Sequence, residues 1–232
     1  MRIMFAGPSG LGKTTLAKWL ESESNDLNDW EPLKFISGSV SDLIPETKDI
    51  SHEEMMSRDT KTLLMEDYKV ANLRSKLFCN QDYFVSDRSF LDLAAYFMFK
   101  QAPHIPSCEM EHFLELNKML LNKNCDKLIL LNLTPSNYRN WITEDNNKRI
   151  TSNYFQMLIS GIMNLVLQIW GPEYGRNIET IKRGQFRSDQ YLVYGAKRLD
   201  IKSPYGFTQV LVINELNLDI RKELIEKFIW HK

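Results

Sequence analysis

One eight-residue string constrains this chain more than any other feature: Gly7-Pro8-Ser9-Gly10-Leu11-Gly12-Lys13-Thr14, with Thr15 directly after it. It satisfies the pattern GxxxxGK[ST] at each fixed position. The short apolar run at residues 3–6 precedes it, and residues 13–21 place Leu16, Ala17 and Leu20 on one helical face. A buried strand therefore runs into a glycine-rich turn and out into a helix. That order is what anion binding demands. Residues without a Cβ let successive main-chain N–H groups converge on one anion. The helix N-terminus adds its positive dipole end. In such a loop the ammonium of Lys13 serves the β- and γ-phosphates, and the Thr14 hydroxyl serves Mg²⁺. The sequence thus predicts a polyphosphate site at residues 7–15.

The remainder of the chain alternates strand and helix signals. Strands are expected at 33–37, 83–86, 128–133 and 210–213. Helices are expected at 60–77, 90–100, 109–122, 151–170 and 219–229, with a capped start at Ser51-His52-Glu53-Glu54 and a short helix at 135–141. Alternation of this kind predicts an α/β fold: a parallel, five-stranded sheet flanked by helices on both faces. Residues 22–32 read as loop. Residues 171–206 carry no clean period and read as an irregular insertion before the last strand. With 232 residues, the expectation is one domain spanning 1–232.

Composition removes several function classes. Net charge is −1, so no global field draws the chain to nucleic acid or anionic lipid. Cys79, Cys108 and Cys125 form no CxxC pair, and the four histidines show no metal-ligand spacing. No apolar run reaches the ~18 residues of a membrane span, and the apolar start is too short for a signal peptide. The expectation is a soluble, cytoplasmic protein with no membrane partner.

The strand at 83–86 ends in Asp87-Arg88-Ser89. Hydrolytic ATPases of the AAA and helicase types end this strand with Asp-Glu, where the glutamate positions water; here arginine takes that place. No NKxD string for reading guanine follows a strand either. Strand-Asp87-Arg88-Ser89-helix resembles instead the DR motif of thymidylate kinases and the ERS motif of deoxynucleoside kinases. This is the nucleoside and nucleotide kinase branch of P-loop proteins, and the flavour is that of the thymidylate-kinase-like and ribosylnicotinamide-kinase-like proteins common in bacteriophages. The resemblance covers residues 2 to about 170 together with the last strand and helix. It implies a P-loop kinase fold, ATP and Mg²⁺ as cofactors, Asp87 near the metal or the acceptor, and Arg88 on the acceptor's phosphate or reacting oxygen. The segment Glu144-Asp145-Asn146-Asn147-Lys148-Arg149 precedes a long helix. By the same resemblance it is a lid at about 142–150, with Arg149 closing over the triphosphate, Lys148 in support and Arg139 flanking. Catalytic roles therefore fall to Lys13, Asp87, Arg88 and Arg149, and metal ligation to Thr14 and Asp87.

The acceptor is less determined. Deoxynucleoside kinases place a glutamate at the end of the second strand, whereas this chain has Ser37-Gly38-Ser39, with no carboxylate until Asp42. A monophosphate is already an anion and needs cations more than a base, which favours a (deoxy)nucleoside monophosphate. A nucleoside, ribosylnicotinamide or a hydroxymethylated base in DNA stays open. So does a regulatory nucleotide-binding ATPase. Tyr68, Phe90, Tyr96 and Phe97 are candidates to sandwich the substrate base, and each reads equally as core. The cations Lys182, Arg183, Arg187, Lys197 and Arg198, with Phe186, Tyr191 and Tyr194, keep DNA in view as a less favoured partner. A homodimer is also left open.

Overall fold

The computed structural model describes residues 1–27, 31–45, 58–134, 153–171, 179–180, 196–203 and 206–230. Its strands are β1 (Arg2–Ala6), β2 (Lys34–Ile36), β3 (Phe84–Ser86), β4 (Lys127–Leu131), β5 (Glu179–Thr180), β6 (Ala196–Ser203) and β7 (Gly206–Ile213). They form one sheet in the order β2-β3-β1-β4-β7-β6-β5. The first five in that order pair in parallel; β6 pairs antiparallel with both β7 and β5. The described helices are α1 (Lys13–Asn25), α2 (Val40–Leu43), α3 (Thr60–Phe78), α4 (Phe90–Gln101), α5 (Ser107–Asn124), α6 (Asn153–Trp170) and α7 (Leu218–Trp230).

The parallel strands read as continuous apolar runs because both of their faces are covered. Side chains alternate between two cores. Met4, Leu128, Leu130 and Val210 join the core built with α3, α4, α5 and α6, while Ile3, Phe5, Ile129 and Leu211 join the core built with α1 and α7. Helix α6 carries no charged residue in eighteen. Its Ile159, Met163, Val166 and Trp170 are all buried, spaced to form one helical face.

The α/β sandwich with its five parallel strands is the expected architecture, and the sheet then exceeds expectation by two strands. The segment read as irregular supplies β6, and the last strand begins at Gly206 rather than at 210. The reason is chemical: Lys197, Arg198, Asp200 and Lys202 occupy half of β6, and charged residues are tolerated on an antiparallel outer strand, where they mask the apolar period. Helix α1 likewise runs to Asn25, into residues read as loop. The short helix α2, capped by the Ser39 side chain on Asp42 N, gave no signal in the sequence. The capped start at 51–54 and the short helix at 135–141 lie outside the described residues.

Topology positions the site. β1 lies between β3 and β4, with Met4 opposite Ser86 and Ala6 opposite Leu130. The chain leaves β1 for β2 on one side and reaches β4 only later on the other. The carboxyl end of β1 is thus the switch point, where parallel α/β sheets open a crevice.

Candidate functional site

The phosphate loop grows from the carboxyl end of β1. Residues Ile3 to Ala6 are fully buried, so the loop is anchored at its root. Gly7 leaves the strand at φ +141°, and a Cβ there would stand 2.5 Å from the Leu131 carbonyl oxygen; only glycine fits. Gly12, at φ +80°, caps α1 without any side-chain hydrogen bond, and the first turn of α1 holds no acidic residue. The leading N–H groups of α1 therefore have no side-chain acceptor from their own cap, and they form an anion-binding end.

Lys13 is buried, and its ammonium donates to the carbonyls of Gly7 and Pro8, the latter at 2.8 Å. The cation is thereby folded back against the loop that a polyphosphate would fill, where its main-chain partners are exchangeable for phosphate oxygens. The hydroxyl of Thr14 donates to Asp87 Oδ2 at 2.5 Å. Asp87 is itself buried, and its second oxygen, Oδ1, has no hydrogen-bond partner. A buried carboxylate oxygen without a donor is costly. Beside a threonine hydroxyl, it makes a hard-oxygen pair suited to Mg²⁺, which takes one or two carboxylates and keeps several waters. The residues present fit that ion.

Further side chains bind the loop to its surroundings. Asp92, near the start of α4, accepts from Gly7 N at 3.2 Å through Oδ1, and from Ser89 N and Ser89 Oγ through Oδ2. It closes a capping box on α4 while tethering the loop's entrance. Gln156 of α6 accepts from Ser9 N at 2.9 Å. Burial pushes the pKa of the Tyr96 phenol up, and the Ser9 side chain partly opposes that rise. Helix α6 is fixed for this contact by Asn132, whose amide oxygen accepts from Ser160 Oγ and Asn164 Nδ2 at the end of β4.

The crevice's other wall is built by the turns after β2 and β3. Arg88 is half-buried, and its Cβ lies close to Gly38: a Cβ placed on that glycine would stand 3.1 Å from it and 3.2 Å from Phe78 Cζ. Beneath both turns lies the buried Arg74, which donates to the Ser89 carbonyl at 2.6 Å and the Gly38 carbonyl at 2.8 Å. Burial pushes its pKa down to about 10, with Asp92 opposing the fall, so it stays cationic at neutral pH. Asp42 accepts from the hydroxyls of Ser37 and Ser39.

The structure therefore brings Lys13, Thr14, Asp87 and Arg88 to one crevice. Arg149, Lys148 and Arg139 lie outside the described residues, as do Lys182, Arg183 and Arg187. Phe90 and Phe97 are fully buried core. Tyr68 is tied to α5 through Glu109 at 2.6 Å, and Tyr96 is the candidate whose phenol pKa responds to Ser9 of the loop. Asp92, Gln156, Arg74 and Arg221, whose Nη1 donates to the Leu11 carbonyl at 2.7 Å, were not singled out from the sequence. Ser89-Phe90-Leu91-Asp92 is a readable capping pattern. Gln156, one of two glutamines on an uncharged apolar helix, carries a weaker signal. Arg74 and Arg221 carry none.

Comparison with known proteins agrees with this fold. The family model described as AAA domain, AAA_28, matches residues 2–158. No curated protein matches the chain in sequence. Among solved structures it is similar to a deoxyadenosine kinase from M. mycoides, solved with the products dCMP and a flexible dCDP. The TM-score is 0.55 and the identity 12%, over 99% of this chain and 98% of that one. It is also similar to a thymidylate kinase from Candida albicans of broad substrate specificity, with TM-score 0.52 and 16% identity over 98% of this chain and 89% of that one. At these identities the likeness is one of fold, and the fold is that of P-loop nucleoside and nucleotide kinases.

Proposed function

We propose that this chain, which belongs to the AAA domain family AAA_28, is a phosphotransferase moving the γ-phosphoryl group of ATP to a (deoxy)nucleoside monophosphate. The observation that carries the reading is the hydrogen bond from the loop's Thr14 to Asp87, which joins the phosphate loop to the Asp87-Arg88 turn at the switch point of the sheet. The two similar structures divide between a nucleoside kinase and a monophosphate kinase, so the acceptor has to be argued from this chain's own residues. At the carboxyl end of β2 stand Ser37 and Gly38, and the nearest carboxylate, Asp42, is engaged by two serine hydroxyls. Asp87 already accepts from Thr14. A nucleoside hydroxyl would need a base to remove its proton. A monophosphate oxygen brings its own negative charge and needs a cation, and Arg88 is the cation at that wall.

Transfer then proceeds in line. An acceptor phosphate oxygen forms a bond to the γ-phosphorus as the bond to the β,γ-bridging oxygen breaks, and ADP leaves. Lys13 trades the carbonyls of Gly7 and Pro8 for phosphate oxygens, and the main-chain amides of residues 9–15 hold the polyphosphate. Thr14 and Asp87 would hold Mg²⁺. When bound, that ion supplies positive charge to the transferring phosphoryl oxygens. Arg88 holds the acceptor, and Arg149, with Lys148, closes from the lid to stabilise charge in the transition state and exclude water. Arg149→Ala should accordingly lower the maximal rate far more than it weakens ATP binding.

The family's AAA description supports one competing reading, an ATPase that hydrolyses without an acceptor. Incubation with Mg·ATP and a panel of nucleosides, monophosphates and DNA separates the two. The proposal expects ADP formation to depend on a monophosphate, with a labelled diphosphate as product. Release of inorganic phosphate at one rate whatever is added would replace it with the ATPase.

A further inference from the structure

Arg221 lies in the first turn and a half of α7, with 4% of its surface exposed. Three features make this an expensive place for a cation. It is buried; burial pushes its pKa down to about 10, opposed by Glu215, and it remains charged at neutral pH. It sits near the positive end of a helix dipole. Among the described residues no carboxylate makes an ion pair with it. Its hydrogen bonds go to main chain instead: Nη1 to the Leu11 carbonyl at 2.7 Å, and Nε to the Glu215 carbonyl at 2.5 Å. Its third nitrogen, Nη2, is buried without a partner. Leu11 is the residue before Gly12, at the bend where the phosphate loop turns into α1, and it lies 210 residues away in the chain.

A fold that violates several local rules at one residue usually gains function by it. We propose that Arg221 is a positioning residue of the nucleotide site. Held between the main-chain oxygens of Leu11 and Glu215, its guanidinium fixes the curve of the phosphate loop and acquires its counter-charge when the polyphosphate binds. It acts through the loop, on the triphosphate and not on the base. This rests on the reading of residues 7–15 as a polyphosphate site.

Inorganic tripolyphosphate, which has no base, is the probe. Its affinity and that of ATP, each with Mg²⁺, are measured by calorimetry for the full chain and for Arg221→Met and Arg221→Lys, alongside unfolding temperatures. The expected result is a loss of tenfold or more for Arg221→Met, by the same factor for both ligands. Arg221→Lys, which keeps the charge but cannot hold both carbonyls, should fall between, and it serves as the test if the methionine variant does not fold. Unchanged affinities in folded variants whose unfolding temperature alone has dropped would reduce Arg221 to a structural residue and overturn the proposal. Loss for ATP with none for tripolyphosphate would overturn it too, by placing the effect at the base. Failure of the unaltered chain to bind tripolyphosphate would instead strike the loop reading itself.

Discussion

The loop after β1 and the turns after β2 and β3 face each other across one crevice, yet they are made differently. The loop is a contiguous string whose shape its own glycines permit: Gly7 could not carry a Cβ, and Gly12 opens α1 at positive φ. The opposite wall is assembled from distant pieces. Pairing of β2 with β3 sets the turns holding Gly38 and Arg88-Ser89 side by side, and Arg74 of α3 ties them together by donating to the carbonyls of Gly38 and Ser89. One side is built by local backbone geometry and the other by long-range contact. The second can therefore be retuned by altering what lies beneath it.

That contrast can be broken most severely on the loop side. Lys13→Ala should leave the fold intact and lower the transfer rate by about 10³ or more, since the charge on the transferring group loses its ammonium; single-turnover kinetics with labelled ATP measure it. An active Lys13→Ala variant would end the loop assignment. Asp87→Asn should lower the rate by about 10² and raise the Mg²⁺ concentration needed for half-maximal activity, read from a metal titration.

The acceptor wall should respond more gently and more selectively. In Gly38→Ala the new methyl meets Arg88 Cβ and Phe78 Cζ at 3.1 and 3.2 Å, an overpacking that costs about 1–3 kcal/mol. The acceptor's KM should rise several-fold while the KM for ATP holds, and equal changes in both would erase the distinction between the walls. Asp92→Asn is the smallest test, because Asp92 serves both sides at once. It should cost about 1 kcal/mol of stability through the weakened cap, seen as a lower unfolding temperature, with both KM values moving together.

The same contrast explains what was legible in the sequence. Gly7 to Thr14 announced themselves because the physics of anion binding there is local, whereas Asp87 was read from the resemblance of Asp87-Arg88-Ser89 to the DR motif at the end of a strand. The five parallel strands were legible for a related reason: burial on both faces leaves unbroken apolar runs such as residues 128–131. Arg74, Gln156 and Arg221 were not legible, since each acts on a main-chain atom 15 to 210 residues away. No spacing rule relates such positions. β6 stayed hidden for the opposite reason to β4: its four charged residues are acceptable only because it lies outside β7, a position the sequence alone does not reveal.

For transfer to occur, Lys13 and Thr14 must give up their present partners to a metal-bound polyphosphate. A crystal structure with Mg²⁺ and a non-hydrolysable ATP analogue tests it directly. The β- and γ-phosphate oxygens should lie on the amides of the loop, the Lys13 ammonium should have moved from the Gly7 and Pro8 carbonyls onto phosphate, and Thr14 and Asp87 should face one ion. An analogue bound elsewhere, with Lys13 still on those carbonyls, would contradict it.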